Sequence, residues 1–155
     1  MDEDLTIRID DLAGEATRAL LALHLAGMRA DSPPEAVFAL DLSGLRAPEI
    51  TVWTAWRGAA IAGVGALKQH SALAGELKSM RTHPDHLRTG VAARLLEHII
   101  EEAMGRGLRR LSLETGRGPA FEPALILYRR RGFIEGPAFA DYQPNGFSQF
   151  LHMAL

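Results

Sequence analysis

Between Gly90 and Met104 the apolar residues Val91, Ala92, Leu95, Leu96, Ile99, Ile100 and Ala103 recur at spacings of three and four, with Arg94, Glu97, Glu101 and Glu102 on the other side. This is the period of a helix with one buried stripe, and so continuous a stripe needs an apolar surface to pack on. The neighbouring sequence supplies strands. Residues 50–56 and 61–67 are β-rich runs separated by Arg57-Gly58, and 76–82 is a third after a turn at Gly75, so three sequential antiparallel strands are expected ahead of the helix. Gly105 and Gly107 stop the helix, and residues 110–115 read as the strand after it.

Leu5, Ile7 and Ile9 alternate with polar residues as a half-buried strand does, and residues 13–28 turn apolar in a helical rhythm. Ser32-Pro33-Pro34-Glu35 reads as a helix start, with a capping serine, proline in the first turn and glutamate at the capping-box position, so a short helix to about Leu42 is expected. Residues 123–131 read as a short helix and 150–155 as a terminal strand. Gly63 and Gly65 strip side chains from one face of the second run, which signals either a bulge or the close approach of another segment.

The 155 residues, 47% hydrophobic and 23% charged, suit one domain spanning 1–155, because two domains of that size would each be poorly buried. A formal net charge of -2 gives no long-range attraction to nucleic acid or anionic lipid, so neither partner is expected, although Arg106, Arg109, Arg110 and Arg129 to Arg131 could form a local basic surface. The absence of cysteine excludes disulfides, thiolate-ligated zinc and a cysteine nucleophile. Among the histidines, His83 and His86 share a loop with only Asp85 close by, and no metal site is expected. Residues 1–4 are acidic where a signal peptide would be basic, and no apolar run approaches the roughly 20 residues of a membrane span, so a soluble cytoplasmic protein is expected.

The segment that joins the third strand of the central run to the strong helix is His83-Pro84-Asp85-His86-Leu87-Arg88-Thr89-Gly90-Val91-Ala92. The first amides of a helix lack intrahelical partners and carry the positive end of the helix dipole, so such a turn can hold an anion. Gly90 would let the backbone approach phosphates closely, Thr89 could donate a hydroxyl, and Arg88 or Arg94 a charge. The same spacing also fits an ordinary strand-to-helix turn with a solvated arginine.

Farther along the chain stands Ala124-Leu125-Ile126-Leu127-Tyr128, with Gly132-Phe133 after it. Together the two segments resemble the GCN5-related N-acetyltransferases. That family's signature is glutamine or arginine, two residues, glycine, one residue, then glycine or alanine, and Gly90 and Ala92 match it. The later segment is similar to the family's alanine, two residues, leucine-tyrosine, then glycine-phenylalanine motif. The chain departs from the pattern at Leu87, which stands at the first signature position with the arginine one place later at Arg88, and at Phe121, where an asparagine often stands.

The resemblance implies an α/β (α+β) acyl-CoA N-acyltransferase fold: a mixed, mostly antiparallel sheet with helices on both faces, whose fourth and fifth strands splay to admit the pantetheine arm of acetyl-CoA. It implies cofactor contacts from Met80, Arg81 and Thr82 along the fourth strand, from Leu87, Arg88, Thr89, Gly90, Val91, Ala92 and Ala93 at the helix start, and from Ala124, Tyr128 and Arg131. Tyr128 is then the candidate acid toward the departing thiolate, with packing of its ring as the other reading. Glu76, with Glu114 in reserve, is the candidate base, each of them otherwise a strand-end carboxylate or a partner for Arg81 or Arg110. Tyr142 and Asn145 could orient the acceptor, while Trp53, Trp56 and Phe38 could belong to the core or line its pocket. The expected activity is transfer of acetyl to a primary amine of a small molecule or protein in a ternary complex, without metal, by a chain that could form a homodimer. An acyl-CoA-binding sensor or interaction module without catalysis is the alternative.

Overall fold

The computed structural model describes residues 4–155, so the acidic residues 1–3 of the N-terminal reading lie outside it. The strands are β1 (Leu5–Ile9), β2 (Ile50–Arg57), β3 (Ala60–Gln69), β4 (Ala74–Thr82), β5 (Arg110–Thr115), β6 (Ile134–Gly136) and β7 (Gln149–Ala154). The helices are α1 (Glu15–Asp31), α2 (Leu42–Leu45), α3 (Val91–Gly105) and α4 (Glu122–Arg131). All strands join one seven-stranded sheet in the order β1-β2-β3-β4-β5-β7-β6. Every pairing is antiparallel except β4 with β5, which α3 connects.

The two faces of the sheet bury different side chains. Leu95, Leu96, Ile99 and Ile100 of α3 join Leu67, Leu77, Leu111 and Leu113 in one core, while Leu20 and Leu21 of α1 join Val64, Ala66 and Val52 in a second. Helices therefore cover both faces, as the resemblance implied. The two glycines of β3 serve the first core: a Cβ on Gly63 would lie 2.7 Å from Val91 Cγ1 and one on Gly65 would lie 2.5 Å from Met80 Sδ. Bulge and close approach, the two readings of this pair, both occur, because the β3–β4 register also breaks between Val64 and Ala66.

The expected helix from Ser32 to about Leu42 does not form. Ser32 ends α1 in an extended conformation, the cap position falls to Pro33, which has no side-chain acceptor, and only a 3-10 turn at Pro34–Ala36 comes next. A separate turn of helix, α2, starts where Asp41 accepts from the Gly44 amide. Two consecutive prolines withhold two amides and favour extended backbone before them, which outweighs the capping-box pattern. The helix read at 13–28 runs on to Asp31, and β6 has no counterpart in the sequence reading. Among the described residues no helix is long and apolar enough to cross a membrane.

Candidate active site

β4 and β5 pair only over Ala74↔Arg110, Gly75↔Leu111 and Glu76↔Ser112. From Leu77 and Leu113 onward they have no ladder partners across the gap, although β4 continues to Thr82 and β5 to Thr115. The cause is local: in β4 Ser79 adopts φ +56°, and Ser79 and Met80 together oppose Gly65, a bulge that bends the strand. A cleft thus opens at the centre of the sheet with unpaired strand edges on its walls.

The loop from His83 to Gly90 lies at one end of this cleft. It holds a 3-10 turn at Pro84–His86, then Arg88 at φ +61° and Gly90 at φ +87° as the residue preceding α3, with no side chain capping the helix. The amides of Val91, Ala92 and Ala93 are therefore available to an anion. Thr89 is not available as read from sequence: its hydroxyl donates to the His86 carbonyl at 2.6 Å and accepts from Arg57 Nη1 at 3.0 Å. Arg57, at the end of β2, also reaches the Thr89 carbonyl at 3.2 Å and His86 Nδ1 at 3.0 Å. It braces the loop from outside it, a role that no local motif announced. Arg57→Ala should raise the KM for acetyl-CoA several-fold and leave kcat within about twofold, read by initial rates, since it loosens a binding loop without touching the reacting atoms.

On the α1 side of the sheet a polar cluster sits beside the opening. Glu76 is buried at 1% exposure, and its two oxygens are taken: Oε1 lies 2.8 Å from His70 Nε2, while Oε2 accepts from Lys78 Nζ at 3.1 Å and from the Tyr142 hydroxyl at 2.5 Å. Lys78 also donates to the Tyr142 oxygen at 3.0 Å. Burial first, then the negative charge of Glu76, pushes the Tyr142 phenol well above its ordinary value, so it stays protonated and donating. Glu114 is only partly buried, and burial raises its carboxyl to about 7, with the Ser148 hydroxyl and the Lys78 charge working against that rise and the Glu76 charge adding to it. Phe38 from the segment after α1 and Phe139 from the loop before β7 each meet Tyr142 edge-on, with centroids 5.0 Å apart.

Tyr128 lies on the other side, in the α3 core, 6% exposed and edge-on to Phe133. Burial lifts its phenol well above the ordinary range, and its hydroxyl has no hydrogen-bond partner among the described residues.

Other positions singled out in the sequence are committed elsewhere. Arg131 pairs with Glu97 of α3 and contacts Met153 Sδ. Asn145 organises its own loop, accepting from the Phe147 and Ser148 amides and donating to Ser148 Oγ. Arg81 turns to α1, donating to His24 Nδ1 at 3.0 Å. Trp53 is core at 1% exposure. Lys78 and Ser148 were missed; Lys78 could have been found, because two residues from Glu76 on a strand is the same face. No group of three or more His, Asp or Glu able to hold a metal occurs among the described residues.

The chain matches the family model described as Acetyltransferase (GNAT) family over residues 17–133. It is 52% identical over 149 residues to an uncharacterized N-acetyltransferase of Bacillus subtilis, YsnE, covering 96% of this chain and 99% of that one. A Klebsiella pneumoniae structure assigned to the acyl-CoA N-acyltransferases superimposes with a TM-score of 0.82 at 28% identity, over 97% of each chain. A GNAT family acetyltransferase from Elizabethkingia anophelis with acetyl-CoA bound has a TM-score of 0.72 at 20% identity, over 99% of each chain.

Proposed function

Because the chain belongs to the GNAT acetyltransferase family and is an acetyl-CoA-dependent N-acetyltransferase, we propose that it moves the acetyl group directly to a primary amine in a ternary complex, with Glu114 as the base and Tyr128 as the donor to the leaving thiolate. The observation that carries this reading is the cleft between the unpaired edges of β4 and β5, with Glu114, its carboxyl raised by burial to about 7, on the strand that forms one wall.

An alkylamine of pKa about 10.4 is only about one part in a few thousand neutral at pH 7, which adds roughly 4 to 5 kcal/mol to the barrier for direct attack. A carboxylate that titrates near 7 removes the ammonium proton with the best balance of basicity and availability. Glu76, the first candidate from the sequence, is the weaker one here, because both of its oxygens already hold donors and any proton transfer would first have to break that network. Its part is to hold Lys78 and Tyr142 in place beside the acceptor wall. With no cysteine in the chain, direct attack on the thioester needs no acyl-enzyme.

Acetyl-CoA would lie with its pyrophosphate on the Val91, Ala92 and Ala93 amides and its pantetheine arm along the unpaired edge of β4. The acceptor, a small-molecule or protein amine, would enter between the Phe38 segment and the Phe139–Tyr142 loop. Tyr128, protonated at every working pH, donates a hydrogen bond to the developing thiolate. Tyr128→Phe should lower kcat about tenfold while leaving acetyl-CoA affinity within about twofold, measured by free-thiol release and by titration calorimetry on the same sample. An unchanged kcat would remove Tyr128 from the chemistry. Binding of acetyl-CoA without thiol release across a broad amine panel would instead favour the sensor alternative.

A further inference from the structure

We propose that the acceptor is a small molecule with a carboxylate beside its primary amine, as in an amino acid, and that Lys78 receives the carboxylate while the amine faces Glu114; the inference rests on the reading of the β4–β5 cleft as the site of transfer to an amine.

The placement follows from where the ladder ends. Glu76 and Ser112 form the last pair between β4 and β5, and two residues farther along each strand, on the same face, stand Lys78 and Glu114. They are level with each other across the gap, one on either wall, and the Lys78 charge is among those that act on the Glu114 carboxyl. A plain alkylammonium is drawn to Glu114 but repelled by Lys78. A zwitterion meets an opposite charge on each wall.

Lys78 also has a donor to spare. Its side chain is only 8% exposed, and an ammonium carries three N–H groups. One goes to Glu76 Oε2 at 3.1 Å, a second to the Tyr142 oxygen at 3.0 Å, and no acceptor takes the third among the described residues. Tyr142 donates its own proton to Glu76, so the three groups close a triangle that fixes Nζ in place. A buried lysine-glutamate pair seldom stabilises a fold more than apolar residues of the same volume would, so stability does not explain it on this wall. A carboxylate oxygen on the spare N–H would make a charge-assisted bond, which is the chemistry this corner is built to accept. Arg81, the next cation along β4, is turned away to His24 of α1. Phe38 and Phe139, edge-on to Tyr142, leave an apolar surround for the rest of the acceptor.

The test compares initial rates of thiol release from acetyl-CoA for matched pairs: phenylalanine with phenethylamine, leucine with isopentylamine, and 4-aminobutyrate with propylamine, beside a tripeptide amide with a free N-terminus. Wild type should favour the amino acid in at least one pair by about ten- to hundredfold in kcat/KM, mainly through KM, the range of one hydrogen bond to a charged group. Lys78→Met should bring that ratio down about tenfold or more, and Lys78→Arg, which keeps the cation, should retain part of it. Differences in amine pKa within a pair are common to wild type and variant, so the change in the ratio isolates Lys78. Should Lys78→Met fail to fold with Glu76 left uncompensated, the double variant Glu76→Gln/Lys78→Met removes both charges together and gives the same reading. Preference for the plain amine in every pair, preference for the tripeptide amide, or a ratio unchanged in the variants overturns the proposal and leaves amine acetylation standing. Thiol release with none of these acceptors overturns transfer to an amine in this cleft and the inference together.

Discussion

Replacing Glu114 by glutamine should lower kcat/KM by about 10² to 10³ at pH 7, with the deficit shrinking steadily as the pH approaches the amine's own pKa. Wild-type kcat/KM should rise through about pH 7 as Glu114 ionises and then level. In the variant only the spontaneously neutral amine reacts, so its rate should climb about tenfold per pH unit up to roughly pH 10. The upper bound on the loss comes from the same arithmetic: the variant cannot fall further than the fraction of amine that is already neutral, about one in a few thousand at pH 7. A loss under about threefold at pH 7, or a rate profile parallel to the wild type's, would assign the proton to another acceptor.

The same substitution should stabilise the protein above pH 7. A carboxyl raised in the folded state from 4.5 to about 7 favours folding below the lower value, and that contribution is lost as pH rises through the upper one. Glutamine cannot ionise and escapes the loss. The variant should therefore unfold at a higher urea concentration than wild type at pH 8, the expected signature of a group placed for chemistry at the expense of stability.

The second large effect concerns acid stability and lies outside the cleft. His24 of α1 is 6% exposed and accepts from Arg81, and burial, reinforced by the Arg81 charge, lowers its imidazole from 6.5 to about 4. Between those values the unfolded chain binds a proton that the folded chain refuses. His24 therefore supports folding above pH 6.5, and that support declines by up to roughly 3 kcal/mol as pH falls through the folded value. Glu114 acts in the opposite sense over an overlapping window, with a smaller weight because its carboxyl keeps some contact with water. Wild-type urea midpoints between pH 7.5 and 4.5 should thus fall only moderately. His24→Asn, which keeps an acceptor for Arg81, should lose most of that decline, whereas Glu114→Gln should steepen it. Parallel slopes in wild type and His24→Asn would show that His24 is not held neutral in the fold.

Much of this protein was legible in its sequence because the signals were periodic or local. The apolar stripe of α3 and the β-rich runs 50–56, 61–67 and 76–82 specify their elements by the period with which they bury side chains. The Gly90 turn and the tyrosine-to-Gly132-Phe133 motif are short local segments that resemble the family's motifs, and the family model covers both. Where local signals conflicted, at Ser32-Pro33-Pro34-Glu35, the reading failed, because the double proline overrode the cap.

What only the tertiary structure decided is which chemistry-bearing side chains are free. Sequence placed Glu76 and Glu114 on neighbouring strands and put Glu76 first, because it could not see that the groups that occupy Glu76 come from His70 in a turn, Lys78 on its own strand and Tyr142 in a loop far along the chain. The same holds for Thr89, whose hydroxyl is taken by Arg57, and for Ser79, whose hydroxyl is buried without a partner where β4 bulges opposite Gly65. Burial period is a property of one segment and can be read along it. Hydrogen-bond satisfaction and the carboxyl of Glu114 at about 7 are sums over partners that folding brings together, so they exist only once the sheet and its two walls are in place.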